Sequence, residues 1–159
     1  MTTSTAAAAG QYLTFQLAGQ PYGLPIASVR EINRMSDIAP VPHAAPFVAG
    51  VMNLRGKVIP VVDLRLKFGL AATAATKETC IIVIECDHGQ IGMIVDAVSG
   101  VIELTAGQIE PPPVLGDADT LSFIIGMGKA DDKVVVLVDT VAALSRETFA
   151  MTLAHQAAA

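Results

Sequence analysis

FVAGVMNLRGKVIPVVD (47–63) and FIIGMGKADDKVVVLVD (123–139) are two versions of one pattern. Phe47, Gly50, Lys57, Val58, Val62 and Asp63 recur without a gap as Phe123, Gly126, Lys133, Val134, Val138 and Asp139, each 76 positions further on. Upstream, DIAPVP (37–42) matches QIEPPP (108–113) through Ile38 and Ile109, Pro40 and Pro111, Pro42 and Pro113, at an offset of 71. Further upstream, YGLPIASVREI (22–32) matches IGMIVDAVSGV (91–101) through Gly23 and Gly92, Val29 and Val98, at an offset of 69. Three matches in one order, with an offset that grows slowly, mark an internal duplication.

Within each copy the apolar runs are short and rich in β-branched residues. YLTFQLA (12–18), CIIVIE (80–85), QIGMIVDAV (90–98) and KVVVLVD (133–139) are bounded by AGQP (18–21), DHGQ (87–90) and ADD (130–132). Runs of this length with such punctuation read as strands. Helical spacing appears in two places. LRLKF (64–68) is a short turn closed by Gly69, and after Asp139, a fitting N-cap, Val141, Leu144, Phe149 and Leu153 recur at about one face. Each copy supplies about five short strands, enough for a small closed barrel. The expected architecture is mainly all-β: two tandem five-stranded β-barrels, at about 12–70 and 79–138, with a C-terminal helix over about 139–153 packing across them. AATAATKE (71–78) reads as the linker, 1–10 and 154–159 as flexible tails, and Phe47 and Phe123 as buried at equivalent places.

Composition narrows the function. Of 159 residues, 52% are hydrophobic and 16% charged, which excludes a disordered chain. Ten basic residues scattered among fifteen acidic ones, for a net charge of −5, supply neither a nucleic-acid face nor a polybasic membrane patch. Cys80 and Cys86 sit in one strand-like run, about 20 Å apart at 3.3 Å per residue, too far to bridge. No basic leader followed by an apolar stretch is visible at the start. The apolar, charge-free stretch 38–54 carries Pro40, Pro42, Pro46 and Gly50, which a spanning helix would not tolerate. A soluble, cytoplasmic protein is expected.

Three strands end in VVD (61–63), IVD (94–96) and LVD (137–139). Asp63, Asp96 and Asp139 could suggest paired carboxylates or metal ligands. Strand-end aspartates more often make turn bonds or cap helices, and Asp63 and Asp139 fall at repeat-related places. His43, His88 and His155 lack a Cys or carboxylate at ligand spacing. Neither a phosphate loop nor a nucleophile elbow is present. Asp131-Asp132-Lys133 lacks the alternating strands and helices of a phosphoryl-accepting domain. The residues alone thus point to a two-barrel binding module without a catalytic step, metal or cofactor.

NLRGKVIPVVDLRLKFG (53–69), YGLPIASVREI, PHAAPFVAGVMNLRG (42–56), IGMIVDAVSGVIEL (91–104) and PPP (111–113) resemble the CheW family of chemotaxis coupling proteins, over roughly 11–149. NLRG…PVVDLR is the most specific of these. The resemblance implies SH3-like barrels and a non-enzymatic adaptor without a cofactor. It implies coupling of the cytoplasmic tip of methyl-accepting chemoreceptors to the regulatory domain of a CheA-like histidine kinase. Barrel-to-barrel contacts with homologous domains would build rings, in arrays at the inner membrane, without direct insertion. The same domain occurs in the kinase and in receiver fusions, but the length here fits the stand-alone adaptor. A coupling protein of a non-motility system, for surface sensing or twitching, is the alternative.

Carried over by motif, the receptor-facing residues would be Val29, Glu31, Gly50, Arg55, Val98 and Val101, in a groove between the barrels. Arg55 is the sharpest of them: it lies in a turn, and its repeat equivalent is Asp131. Core packing competes for Val29, Val98 and Val101, and a solvated strand-end charge for Glu31. Glu110, Val114 and Leu115, around the stiff QIEPPPV loop (108–114), would face the kinase or array neighbours. Ala49 stands where several relatives carry a charge.

Overall fold

The computed structural model describes residues 9–35, 37–42, 46–70, 76–86, 89–111, 124–130 and 132–139. Over these residues the β-branched runs become strands β1 (Gly10–Leu17), β2 (Gln20–Pro25), β3 (Val29–Arg34), β4 (Val48–Leu54), β5 (Lys57–Asp63), β6 (Cys80–Cys86), β7 (Gly89–Val95), β8 (Ala97–Leu104), β9 (Ile109–Glu110), β10 (Ile124–Ala130) and β11 (Lys133–Val138). The short LRLK turn forms α1 (Leu64–Lys67), which is capped at Arg65 N–H by the Asp63 carboxylate. It ends before Gly69, whose φ of 78° suits glycine.

The strands form two sheets, β3-β6-β7-β5-β4 and β8-β1-β2-β11-β10-β9. Each comes round on itself. Beyond β3 the chain returns to β4, where Ala39 and Val51 exchange both backbone bonds at 2.8 and 2.9 Å. Beyond β8, β9 returns to β10, with Glu110 opposite Met127. Those two bridges are repeat equivalents, since 39 + 71 = 110 and 51 + 76 = 127. The expected pair of small barrels is therefore present.

Their composition differs from a split at 12–70 and 79–138. Hairpin β1–β2 of the first copy inserts between β8 and β11 of the second. Hairpin β6–β7 of the second copy inserts between β3 and β5 of the first. The reason is that both copies carry the same pattern, so a hairpin matches either barrel. The connection after it decides: Ile26–Ser28 is one 3-10 turn, and Asp96 alone separates β7 from β8. Such short links carry the chain across to the other sheet.

Register confirms the equivalence. The parallel pair β5–β7 sets Val61 opposite Gly92, and β11–β2 sets Leu137 opposite Gly23. A Cβ on Gly92 would lie 2.8 Å from Ile81 Cγ2, and one on Gly23 would lie 2.9 Å from Leu137 Cδ2. Close packing inside a small barrel thus favours glycine at both places, since any Cβ would displace a neighbouring methyl group. The ladder slips between Val29 and Glu31 on β3, and between Val98 and Gly100 on β8, which is the same bulge.

Three apolar clusters follow. Met52, Ile59, Val61, Ile81, Val83 and Ile94 fill the first barrel. Tyr12, Leu104, Ile125, Val135 and Leu137 fill the second. The largest, including Leu13, Phe15, Phe47, Ile82, Ile84, Met93 and Val95, draws on both barrels and seals the seam between them. Successive residues of β6 thus alternate between barrel interior and seam, and both faces are dry. That is why CIIVIE reads as an unbroken apolar run. Phe47 is buried as expected. Phe123, the helix expected over 139–153 beyond Asp139, the linker at 71–75, and the tail residues 1–8 and 154–159 lie outside the described residues.

Candidate protein-contact sites

β3 alternates strictly: Val29, Glu31 and Asn33 are half-buried, and Arg30, Ile32 and Arg34 are exposed. Arg55 occupies the two-residue turn joining β4 to β5. Its φ of 53° and the 86° of Gly56 give the twist that tight hairpins need. Asn53 Oδ1 accepts the Gly56 N–H at 2.9 Å and fixes that turn. The turn leans over β3. Arg55 Nη1 and Nη2 donate to Glu31 Oε2 and Oε1, both at 2.6 Å. Asn33 Nδ2 donates to Glu31 Oε1 at 3.1 Å. The Arg55 hydrogen bonds, aided by Asn33 and the nearby Arg30 charge, hold the Glu31 carboxyl below the usual carboxylate range. The guanidinium, bonded to Glu31, is held all the more firmly protonated. The structure therefore joins two of the sequence-derived residues into one displayed charge pair.

The other sequence-derived residues fall elsewhere. Gly50 is buried at a bulge against the Ala39 carbonyl, so it shapes the barrel rather than displaying a surface. Val29 and Val98, repeat equivalents, are half-buried and pack on the seam cluster. Val101 stands out at 52% exposure. Glu110, on β9, pairs with Lys129 of β10. Val114, Leu115, Asp131 and the three histidines lie outside the described residues.

Sequence reading passed over other exposed apolar residues. Ile32 is 42% exposed and is the repeat equivalent of Val101 (32 + 69 = 101). Val58 and Val134, 60% and 45% exposed, are equivalents as well (58 + 76 = 134). Val58 borders an open groove of about 560 Å³ with Arg30, Lys57, Glu85 and Gln90. Val134 borders a second, of about 370 Å³, with Gln16, Gln20, Pro21 and Lys133. The two grooves correspond: Lys57 to Lys133, Glu85 to Gln16, Gln90 to Pro21. In the first, Arg30 Nε faces Glu85 Oε1 at 3.8 Å. In the second, Gln16 Nε2 donates to Ser99 Oγ at 3.2 Å, with Ser99 in the place of Arg30. One framework thus presents an Arg–Glu pair on one barrel and a neutral Gln–Ser pair on the other, with a lysine common to both. The signal was in the repeat: Val58 and Val134 are matched positions, and an apolar residue repeated on an exposed face is a surface feature rather than a core one.

Two of the three strand-end aspartates meet at Arg65. Asp63 Oδ1 and Oδ2 accept from Arg65 Nε and Nη2, each at 2.9 Å. Asp96 Oδ1 accepts from Arg65 Nη1 at 2.8 Å. The Arg65 side chain is 6% exposed, and its bonds to Asp63, opposed by burial and reinforced by Asp96, keep the guanidinium firmly charged. Every oxygen of this set but one, Asp96 Oδ2, is spent on Arg65, and that one accepts the Ala18 N–H at 2.8 Å. Such a set holds structure together and offers no free carboxylate pair for acid–base work. Asp139 belongs to the other barrel.

Residues 11–148 match the family model for the CheW-like domain. The chemotaxis protein CheW of Klebsiella aerogenes is 33% identical over 141 residues, covering 89% of this chain and 85% of that one. That of Bacillus subtilis is 32% identical over 145 residues, covering 91% and 93%. In the crystal structure of the scaffolding protein TtCheW from Thermoanaerobacter tengcongensis, the fold is shared with a TM-score of 0.78 at 35% identity, over 86% of this chain and 93% of that one.

Proposed function

This chain belongs to the CheW-like family, and from that membership we propose that it is a non-enzymatic chemotaxis adaptor that couples chemoreceptors to a CheA-like histidine kinase. The observation that carries the reading is the doubling of exposed apolar surface. Each barrel displays one apolar residue on the strand after its bulge, Ile32 or Val101, and another at the start of a hairpin strand, Val58 or Val134. A bridge needs two faces, and a duplicated fold supplies them in corresponding places. Exposed apolar residues at repeated positions favour protein contacts over a small-molecule site.

The receptor tip is assigned to the side of the first barrel bearing the Glu31–Arg55 pair, and Ile32 lies on the outer face of the same strand. Arg55 carries a planar fork, and an acidic partner could compete with Glu31 for it. Val29 and Val98 act there by setting the seam, and Val101 is the second barrel's counterpart of Ile32. Glu110, Val114 and Leu115 are assigned to kinase or array neighbours, and the Val58 and Val134 grooves to homologous barrels in a ring. The protein works in the cytoplasm, recruited to receptor arrays at the inner membrane.

Titration against a receptor-tip fragment, a kinase regulatory-domain fragment and both together tests this. The expected result is binding to each and a three-component complex on sizing. Binding to neither, or mutual exclusion of the two, refutes the adaptor reading.

A further inference from the structure

We infer that Arg65, held by Asp63 and Asp96, is the positioning residue that sets the angle between the two barrels, through a clasp present on one of two repeat-related seams.

The connections run across the seam. Asp63 ends β5 and Arg65 lies in α1, both on the first barrel. Asp96 is the single residue between β7, in the first barrel, and β8, in the second. Its N–H donates to Gln16 O of β1 at 3.0 Å, and its Oδ2 accepts the Ala18 N–H in the β1–β2 turn. The path from α1 through Arg65 and Asp96 to the β1–β2 turn therefore joins one barrel to the other entirely by charge-assisted or backbone bonds. The planar guanidinium fixes direction as well as distance.

The opposite seam is built from the other copy's residues. The repeat equivalent of Asp96 is Ala27 (27 + 69 = 96). Alanine has no carboxylate, so the link from β2 to β3 cannot accept a guanidinium as Asp96 does. Apolar packing in the seam cluster is non-directional and tolerates small rotations, whereas a bidentate ion pair does not. Among the described residues the barrels are thus pinned by charge at one edge. Residues on opposite sides of the seam, such as Ile32 and Val101, keep their spacing only while the clasp holds.

The test uses the full chain with Cys80→Ala and Cys86→Ala, and spin labels at Arg34→Cys and Glu103→Cys, exposed repeat equivalents on β3 and β8. Pulsed dipolar spectroscopy reads the inter-barrel distance. The expected result is one narrow population for the parent and a broadened or displaced one for Arg65→Met. Asp96→Asn keeps the acceptor for Arg65 but cannot accept the Ala18 N–H, and it should broaden the distribution even if Arg65→Met fails to fold. Arg65→Lys, with charge but no fork, should fall between. An unchanged distribution in folded Asp96→Asn and Arg65→Met, with only a lower Tm, overturns the inference. The distance is read in the free chain, so it stands or falls apart from the adaptor reading. The consequence for binding rests on that reading: if the clasped angle is populated one-tenth of the time, receptor affinity falls about tenfold.

Discussion

Gly50→Ala separates a structural from a contacting role at one position. A Cβ there would stand 2.1 Å from the Ala39 carbonyl oxygen and 2.7 Å from its carbon. Ordinary C···O contact is about 3.3 Å, so the returning segment would have to retreat by about 1.2 Å. That stretches the Ala39–Val51 pair of bonds, now 2.8 and 2.9 Å, beyond hydrogen-bond range. Two lost bonds cost about 0.5–1.5 kcal/mol each, and the backbone at φ 149° adds about 1–3 for a residue with a side chain. The sum is about 2–6 kcal/mol, a large share of the stability of a single domain. Urea unfolding followed by circular dichroism should give a lower midpoint at unchanged m, and Tm should fall by about 5–20 °C. The fraction that remains folded should bind a receptor fragment as the parent does. A change of less than about 0.5 kcal/mol would refute the close approach. Full stability with lost binding would make Gly50 a contact after all.

Gly23→Ala and Gly92→Ala should each destabilise by about 1–3 kcal/mol and by similar amounts, because their repeat-related barrels are equally tight; a neutral member of the pair in urea unfolding would contradict the equivalence. Glu31 has a depressed folded-state pKa, so its stabilising contribution is present above the unfolded-state value and is lost as pH falls through the folded one. The stability advantage of the parent over Glu31→Gln should accordingly exist at neutral pH and vanish in acid, and a pH-independent difference would exclude the ion pair as its source. Arg55→Ala breaks the same pair and should lower Tm about as little as Glu31→Gln does, while weakening receptor binding and sparing kinase binding in separate titrations; equal loss for both partners would place Arg55 in the fold. Arg55→Glu is the harsher variant, because it sets a second carboxylate against Glu31.

The duplication, the strand content, the α1 turn and the structural role of Asp63 were legible in the residues, because period-2 burial, turn chemistry and helix capping are local. Family likeness added the adaptor reading. Of the candidate residues, Glu31 and Arg55 meet, whereas Gly50, Val29 and Val98 serve barrel and seam. Strand alternation alone cannot distinguish a barrel interior from a seam when both are apolar. Ile32, Val58 and Val134 went unnoticed because a valine or isoleucine in a strand looks like core until its face is known.

By itself the sequence determined that the chain contains two copies of one strand pattern, and hence two barrels, because burial period and turn residues act over a few positions. The tertiary structure alone decided which copy completes which barrel. Two near-identical patterns offer near-identical partners, and the choice is made by links as short as Asp96 and by pairings between distant residues, such as Leu13 with Val101 and Tyr22 with Val136. The same long-range closure brought Arg55 to Glu31 and Arg65 to Asp96, 24 and 31 positions away, pairs that no local rule selects.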